Sequence, residues 1–200
     1  MASLPLKCAC GAVRAEVDTE RVNRVVCYCD DCQAYARALG RDDLLDERGG
    51  TDIFQVPPNA LRFTAGREHL AILRLSRKGL VRAYAACCKT PVGNMLENPR
   101  GPFVGIPDRF VEGGAAALDA AVGPPRGAIQ GKFAVGGCPP GVDATVSFPV
   151  LAKSVGFVIS NVVRGTYRGS PFFDAEGRLA LPVRVLTKEE RAAVTPGRSA

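Results

Sequence analysis

The chain has one histidine and no tryptophan among its 200 residues, and aromatic side chains make up only 6% of it. An imidazole general base therefore has no obvious supplier. The lone histidine, His69, sits in "GREHLAIL" on the approach to a hairpin and is expected on the surface. Single-stranded nucleic acid is usually held on aromatic platforms interleaved with basic residues, and that interleaving is absent. The net charge is +6, from 26 Lys and Arg against 20 Asp and Glu. The basic residues are scattered singly (Arg21, Arg24, Arg37, Arg62, Arg67), with no run of five or more. Such a surface is expected to be solvated, and nucleic acid is not an expected partner. Long apolar runs are missing too. The best candidate, "FPVLAKSVGFVISNVV", is broken by Lys153, Ser154, Ser160 and Asn161 and is too short and polar to span a bilayer. The opening "MASLPLKCAC" holds no signal-peptide core. The expectation is a cytoplasmic chain with no membrane partner.

What the chain has in quantity is cysteine, eight residues of it. A chain of this length buries enough surface to fold without covalent staples, and 46% hydrophobic with 23% charged residues is ordinary for a globular protein. Three thiols, Cys27, Cys29 and Cys32, are crowded into "VVCYCDDCQAY", downstream of Cys8 and Cys10 in "KCACGAVR". A disulfide framework, a redox pair and a metal site are the three possibilities. In a reducing compartment the pattern points to metal or catalysis rather than disulfides.

The first hundred residues read as short strands and turns. "AVRAEV" (12–17) alternates like a half-buried strand, "NRVVCYC" runs into the cysteines, and "ALRFTA" (60–65) is a further strand. "LAILRLSRKGLVRAYAACC" is the clearest hairpin. "DDCQAYARAL" (30–39) is predicted helical, with Asp30 as N-cap and Gly40 as its stop. The segment 40–58 is predicted to be a loop. Beyond Pro99, "GGAAALDAAVGPP" is a short helix and "GKFAVGGCPPGVD" a loop. Residues 149–165 form one long helix, amphipathic to largely buried, opened by Pro149 and closed by Gly165. The polar tail is expected to fray beyond Thr195. The fold class is mainly β with appended helices (α+β). Residues 1–98 form a small antiparallel, cysteine-bearing domain. Residues 99–200 form an extension, with one long and one short helix, that packs on it and need not fold alone.

Zinc takes four soft or borderline ligands in a tetrahedron, and thiolates suit it. Beyond Cys8 and Cys10 and the triple, the chain offers the vicinal pair Cys87 and Cys88, and Cys138 further on. Several close groups together form a far more specific signal than one C-x-x-C. The redox alternative rests on Cys29-Asp30-Asp31-Cys32. No parallel-sheet pattern surrounds it, and two aspartates would raise a thiol pKa rather than lower it.

These motifs resemble those of the glutathione-dependent formaldehyde-activating enzymes and centromere protein V. The opening C-x-C-G-x-V-R is matched by "CACGAVR" (8–14), and C-x-C-x-x-C by "CYCDDC" (27–32). The third element, C-x-x-C-G after a hairpin, is approached by "YAACCKTPVGN" (84–94). The resemblance spans roughly residues 6–94 and implies a zinc-holding β-tent with two ions. A structural zinc would use Cys8, Cys10 and Cys88. Ala85 stands where the family has its fourth cysteine, and adjacent Cys87 is the substitute. A second, catalytic zinc with an open position would use Cys27, Cys29 and Cys32. Many relatives carry histidine where this chain has Tyr28.

Three thiolates and an open position suit capture of an incoming thiol better than activation of water, because the negative centre acidifies water weakly. The implied function is a carbon–sulfur lyase or synthase, joining or separating glutathione (or a similar thiol) and formaldehyde or another small aldehyde. Asp30 and Asp31 would then relay a proton or orient the substrate amine, or else only cap the helix and face solvent. The alternative is a non-catalytic, zinc-stabilised binding module. Cys138 bears on this choice. It is either a free thiol or a fourth ligand that closes the triple. The oligomeric state is not legible in the sequence.

Overall fold

The computed structural model describes residues 3–195. Eleven strands and four helices follow one another among these residues, and the fold class is α+β, mainly β. The strands are β1 (Ser3–Lys7), β2 (Arg14–Asp18), β3 (Asn23–Cys27), β4 (Thr51–Val56), β5 (Leu61–Ala65) and β6 (Leu70–Arg74). They continue with β7 (Val81–Ala85), β8 (Thr90–Met95), β9 (Val104–Pro107), β10 (Ala128–Ile129) and β11 (Val183–Val185). The helices are α1 (Asp30–Ala38), α2 (Gly114–Val122), α3 (Phe148–Arg164) and α4 (Lys188–Val194).

A small antiparallel sheet, β1-β2-β5, faces an eight-stranded sheet of order β10-β3-β4-β9-β8-β7-β6-β11. In β2, Ala15 and Val17 point inward while Arg14 and Glu16 stay outside, as period-two patterning requires. The main core lies between the sheets. It joins Leu4, Leu6, Val17 and Leu61 of the small sheet to Phe54, Ile72, Val92 and Ile106 of the large one. The other face of β6 carries Leu73, which packs with Ala34 and Tyr35 of α1 and with Leu39 at its C-terminal cap.

Several expectations need correction. Residues 40–58 are not a loop throughout, because Thr51–Val56 pairs with β3 and β9 inside the large sheet. The helix at Asp30 is capped by Cys29, not Asp30. The large sheet is not purely antiparallel: β10 runs parallel to β3, and β11 parallel to β6. The polar tail contains a third helix of the C-terminal half, α4, opened by a capping box between Thr187 and Glu190. The expected fraying beyond Thr195 lies outside the described residues. Residue 98 marks no break in the sheet, since β9 is an inner strand between β4 and β8.

Arg24 fastens the halves electrostatically. Its guanidinium, 4% exposed, pairs with Asp52 at 2.5 Å and with Asp119 of α2 at 2.6 Å. No helix among the described residues is long and apolar enough to cross a membrane.

Candidate metal centres

All eight cysteines are free thiols, and seven of them gather into two groups. The first group comprises Cys8, Cys10, Cys87 and Cys88, whose sulfurs all lie within 4.8 Å of one another. Cys8 and Cys10 occupy the turn leaving β1. That turn closes through a Gly11 N–H to Cys8 carbonyl bond of 2.8 Å. Gly11 has φ of +79°, where a side chain would be strained. Cys87 and Cys88 lie in the turn joining β7 to β8, where Lys89 adopts φ of +58° and its N–H returns to the Ala85 carbonyl. That left-handed residue is what lets two adjacent cysteines share one site. The Sγ separations are 3.6 Å for Cys8–Cys10, 3.3 Å for Cys10–Cys87 and 3.8 Å for Cys87–Cys88. Bonds of about 2.3 Å to one tetrahedral ion would set sulfurs about 3.8 Å apart, so the set fits such an ion. Ala85 is fully buried in β7, and Cys87 supplies the fourth thiol.

The first group is electrostatically uneven. Burial opposes the Cys88 thiolate, but the Thr90 hydroxyl at 3.1 Å and the backbone N–H groups of Cys10 and Thr90 outweigh it, bringing the thiol down to about 6. Burial and the thiols of Cys10 and Cys88 push Cys87 up to about 12. Burial also raises Cys8, against an N–H donated by Val13 at 3.2 Å.

The second group, Cys27, Cys29 and Cys32, sits where β3 runs into α1. Cys27 ends the strand, Cys29 is the N-cap, and Cys32 lies in the first helical turn, its N–H reaching Cys29 Sγ at 3.4 Å. Their sulfurs also lie within 4.8 Å of one another, and no fourth His, Cys, Asp or Glu among the described residues joins them. Cys138 stays apart in an exposed loop, its thiol donating to the Val142 carbonyl at 3.0 Å. Hydrogen bonds from Cys27 and Cys29 hold Cys32 well below the ordinary thiol range, with Arg82 assisting. Those bonds raise Cys27. In Cys29 the lowering by Cys27 is overcome by Cys32 and burial, and the thiol is pushed up to about 12. Of the three, Cys32 is the thiol most disposed to ionise, and a divalent ion would displace the protons that the others keep.

Arg82 is the residue that sequence reasoning missed. It projects from β7 with its side chain only 2% exposed, stacks over Tyr35 at 5.2 Å and donates to Asn94 Oδ1 at 3.3 Å. The only available signal was its phase in "VRAYA", opposite to the core residues Val81, Ala83 and Ala85. Cys32, Tyr35, Arg82 and Asn94 line a cavity of about 10 Å³, the scale of one water.

Asp31 does not simply face solvent. It accepts from Arg191 of α4 at 2.5 Å and lies 3.7 Å from Arg82. Asp30 only accepts from the Asp31 N–H. Tyr28 is buried, and burial with the Asp46 carboxylate raises its phenol. His69 is exposed beside Glu68, as expected.

Fold and sites together define an α+β protein with two thiol clusters, each able to hold a metal ion. The chain belongs to a family of unknown function, DUF6151, whose model matches residues 1–181. No curated protein matches it. It is similar to a Rhodobacter sphaeroides protein of known crystal structure, with 19% identity and a TM-score of 0.39, over 60% of this chain and 97% of that one.

Proposed function

We propose that both clusters bind zinc and that the chain is a carbon–sulfur lyase acting on adducts of a small thiol and a small aldehyde at Cys27, Cys29 and Cys32. The observation that carries this reading is the triple itself: three clustered thiols, no fourth ligand among the described residues, and Cys138 turned away. Its motifs also resemble those of the glutathione-dependent formaldehyde-activating enzymes. Zinc bound there would supply Lewis acidity and hold an incoming thiol as its thiolate at neutral pH. Adding a thiol across an aldehyde forms one C–S bond, and the thiol's proton ends on the carbonyl oxygen. Arg82 offsets the negative charge that three thiolates create. Asp31 is committed to Arg82 and Arg191, which leaves Asp30, partly exposed at the helix start, as the nearer candidate to carry that proton.

The test is incubation of zinc-loaded protein with glutathione and formaldehyde, following adduct formation by NMR. A rate above background that is lost in Cys29→Ser supports the reading, and no rate above background rejects it. Elemental analysis should give two zincs per chain, falling to one in a Cys27→Ser/Cys32→Ser variant. The second reading, a non-catalytic zinc-stabilised binding module, is favoured by one feature, the outward apolar face of α3.

A further inference from the structure

Helix α3 turns a long apolar side away from the body of the protein. The side that meets the body mixes apolar residues, Val150, Phe157 and Val158, with polar ones. Asn161 is fully buried, donating to the Pro102 carbonyl at 3.0 Å and accepting from Arg21 at 2.5 Å. Arg21 also donates to Ser160 at 2.8 Å, and Asn23 to Ser154 at 3.0 Å. The apolar side points into solvent. Phe148 and Val163 are each 81% exposed and Ile159 57%, with Leu151, Val155 and Val162 exposed between them. At 100° per residue these side chains, with Ala152 and Gly156, form one stripe on the face opposite Asn161. The helix's only charges, Lys153 and Arg164, fall outside the stripe. The stripe runs about 25 Å along the helix. An apolar patch of that extent on a soluble surface marks an interaction site.

Gly156 lies at the midpoint of Phe148–Arg164. Glycine inside a helix costs roughly 0.5–1 kcal/mol relative to alanine. Nothing in the body requires it, because a Cβ there would meet no atom within 4 Å. A close approach by another surface would account for it.

We infer that α3 is a homodimer interface, pairing antiparallel with α3 of a second copy about a two-fold axis near Val155 and Gly156. The stripe is self-complementary under that reversal. Ile159 of one copy meets Ala152 of the other, Val155 meets Gly156, and Phe148 meets Val163. Two of these contacts set a large side chain against a small one, which lets the backbones approach. An isologous contact requires such self-complementarity. No charge lies in the seam, so the +6 net charge of each chain does not oppose it locally. The stripe offers on the order of 500 Å² per copy, about 1,000 Å² for the pair. That is the lower bound for a specific interface.

The test is sedimentation of the full, reduced, zinc-supplemented chain between about 1 and 200 μM. The expected result is a concentration-dependent rise to twice the 21.1 kDa of one chain. Ile159→Asp is expected to stay monomeric. Gly156→Leu, whose side chain enters open space in the monomer, is expected to keep its circular dichroism and to weaken association by at least about tenfold. A monomeric wild-type chain overturns the inference, as does a dimer that survives Ile159→Asp or is strengthened by Gly156→Leu. A monomeric chain that floats with phosphatidylcholine–phosphatidylserine vesicles, and more strongly as Gly156→Leu, assigns the stripe to a lipid surface instead.

Discussion

Replacing Arg82 with methionine keeps most of the side-chain length, removes the charge, and separates the two metal clusters experimentally. A divalent ion held by three thiolates leaves the centre at a net charge of −1, and Arg82 supplies the compensating +1. Two unit charges about 4 Å apart at an effective dielectric near 20 interact by about 4 kcal/mol. Part of that is offset by the desolvation of a guanidinium exposed by only 2%. The net loss expected at the triple is about 2–3 kcal/mol, roughly 30- to 150-fold in metal affinity. Asp31 retains Arg191 as a partner, which limits collateral damage to the α1–α4 contact. Arg82 acts on the triple and not on the four-cysteine cluster, which keeps its affinity. The assay is competition for zinc against a chromophoric chelator, in the wild type and in a Cys27→Ser/Cys32→Ser background that reports the first cluster alone. Arg82→Lys should recover part of the loss, because it keeps the charge without the planar fork. A folded Arg82→Met protein with unchanged affinity at the triple would refute the electrostatic reasoning.

Other outcomes follow from the same geometry. In reduced, metal-free protein, Cys88 should alkylate with a midpoint near pH 6. The sign follows from its depressed pKa: the thiolate dominates above about 6, whereas Cys87, raised to about 12, stays protonated. Peptide mass spectrometry after timed iodoacetamide treatment measures this, and faster labelling of Cys87 at pH 7 would contradict it. Arg24→Met strands the Asp52 carboxylate near the core and should cost about 3 kcal/mol. Thermal denaturation should register that as a fall of about 6–12 °C in Tm. Asp31→Asn weakens a part-exposed bridge to Arg191 and should cost only about 1 kcal/mol by urea denaturation, with zinc content unchanged.

The cysteine clusters were legible because the sequence itself crowds Cys27, Cys29 and Cys32, and the C-x-C-G turn states its own backbone need through Gly11. Cys87 as the stand-in at the Ala85 position was legible from adjacency, although the left-handed Lys89 that permits it was not. Strand β4 escaped because Ile53, Phe54 and Val56 do not alternate. They lie in an inner strand covered on both faces, where period-two patterning disappears. Strands β10 and β11 are too short to carry any pattern. The hydrophobic stripe of α3 was readable, but periodicity cannot say which face meets the protein. That was decided by Asn161, Ser154 and Ser160 finding partners in Arg21 and Asn23. The role of Arg82 depends on α1 lying over β7, a tertiary fact with no local signature.

The two clusters differ in how far apart along the chain their ligands lie, and this bears on folding. Cys27, Cys29 and Cys32 are local, so an unfolded or nascent chain can already offer all three to a metal ion. The other cluster joins the turn after β1 to a turn some eighty residues later, and it exists only once the β6–β7–β8 meander is built and the small sheet has docked. Metal that binds native and unfolded chains alike adds nothing to stability. Metal held by Cys8, Cys10, Cys87 and Cys88 would therefore be linked to folding in full, whereas at the triple only the share contributed by Arg82 would be, and occupancy of the four-cysteine site would record that the N-terminus has reached its final place.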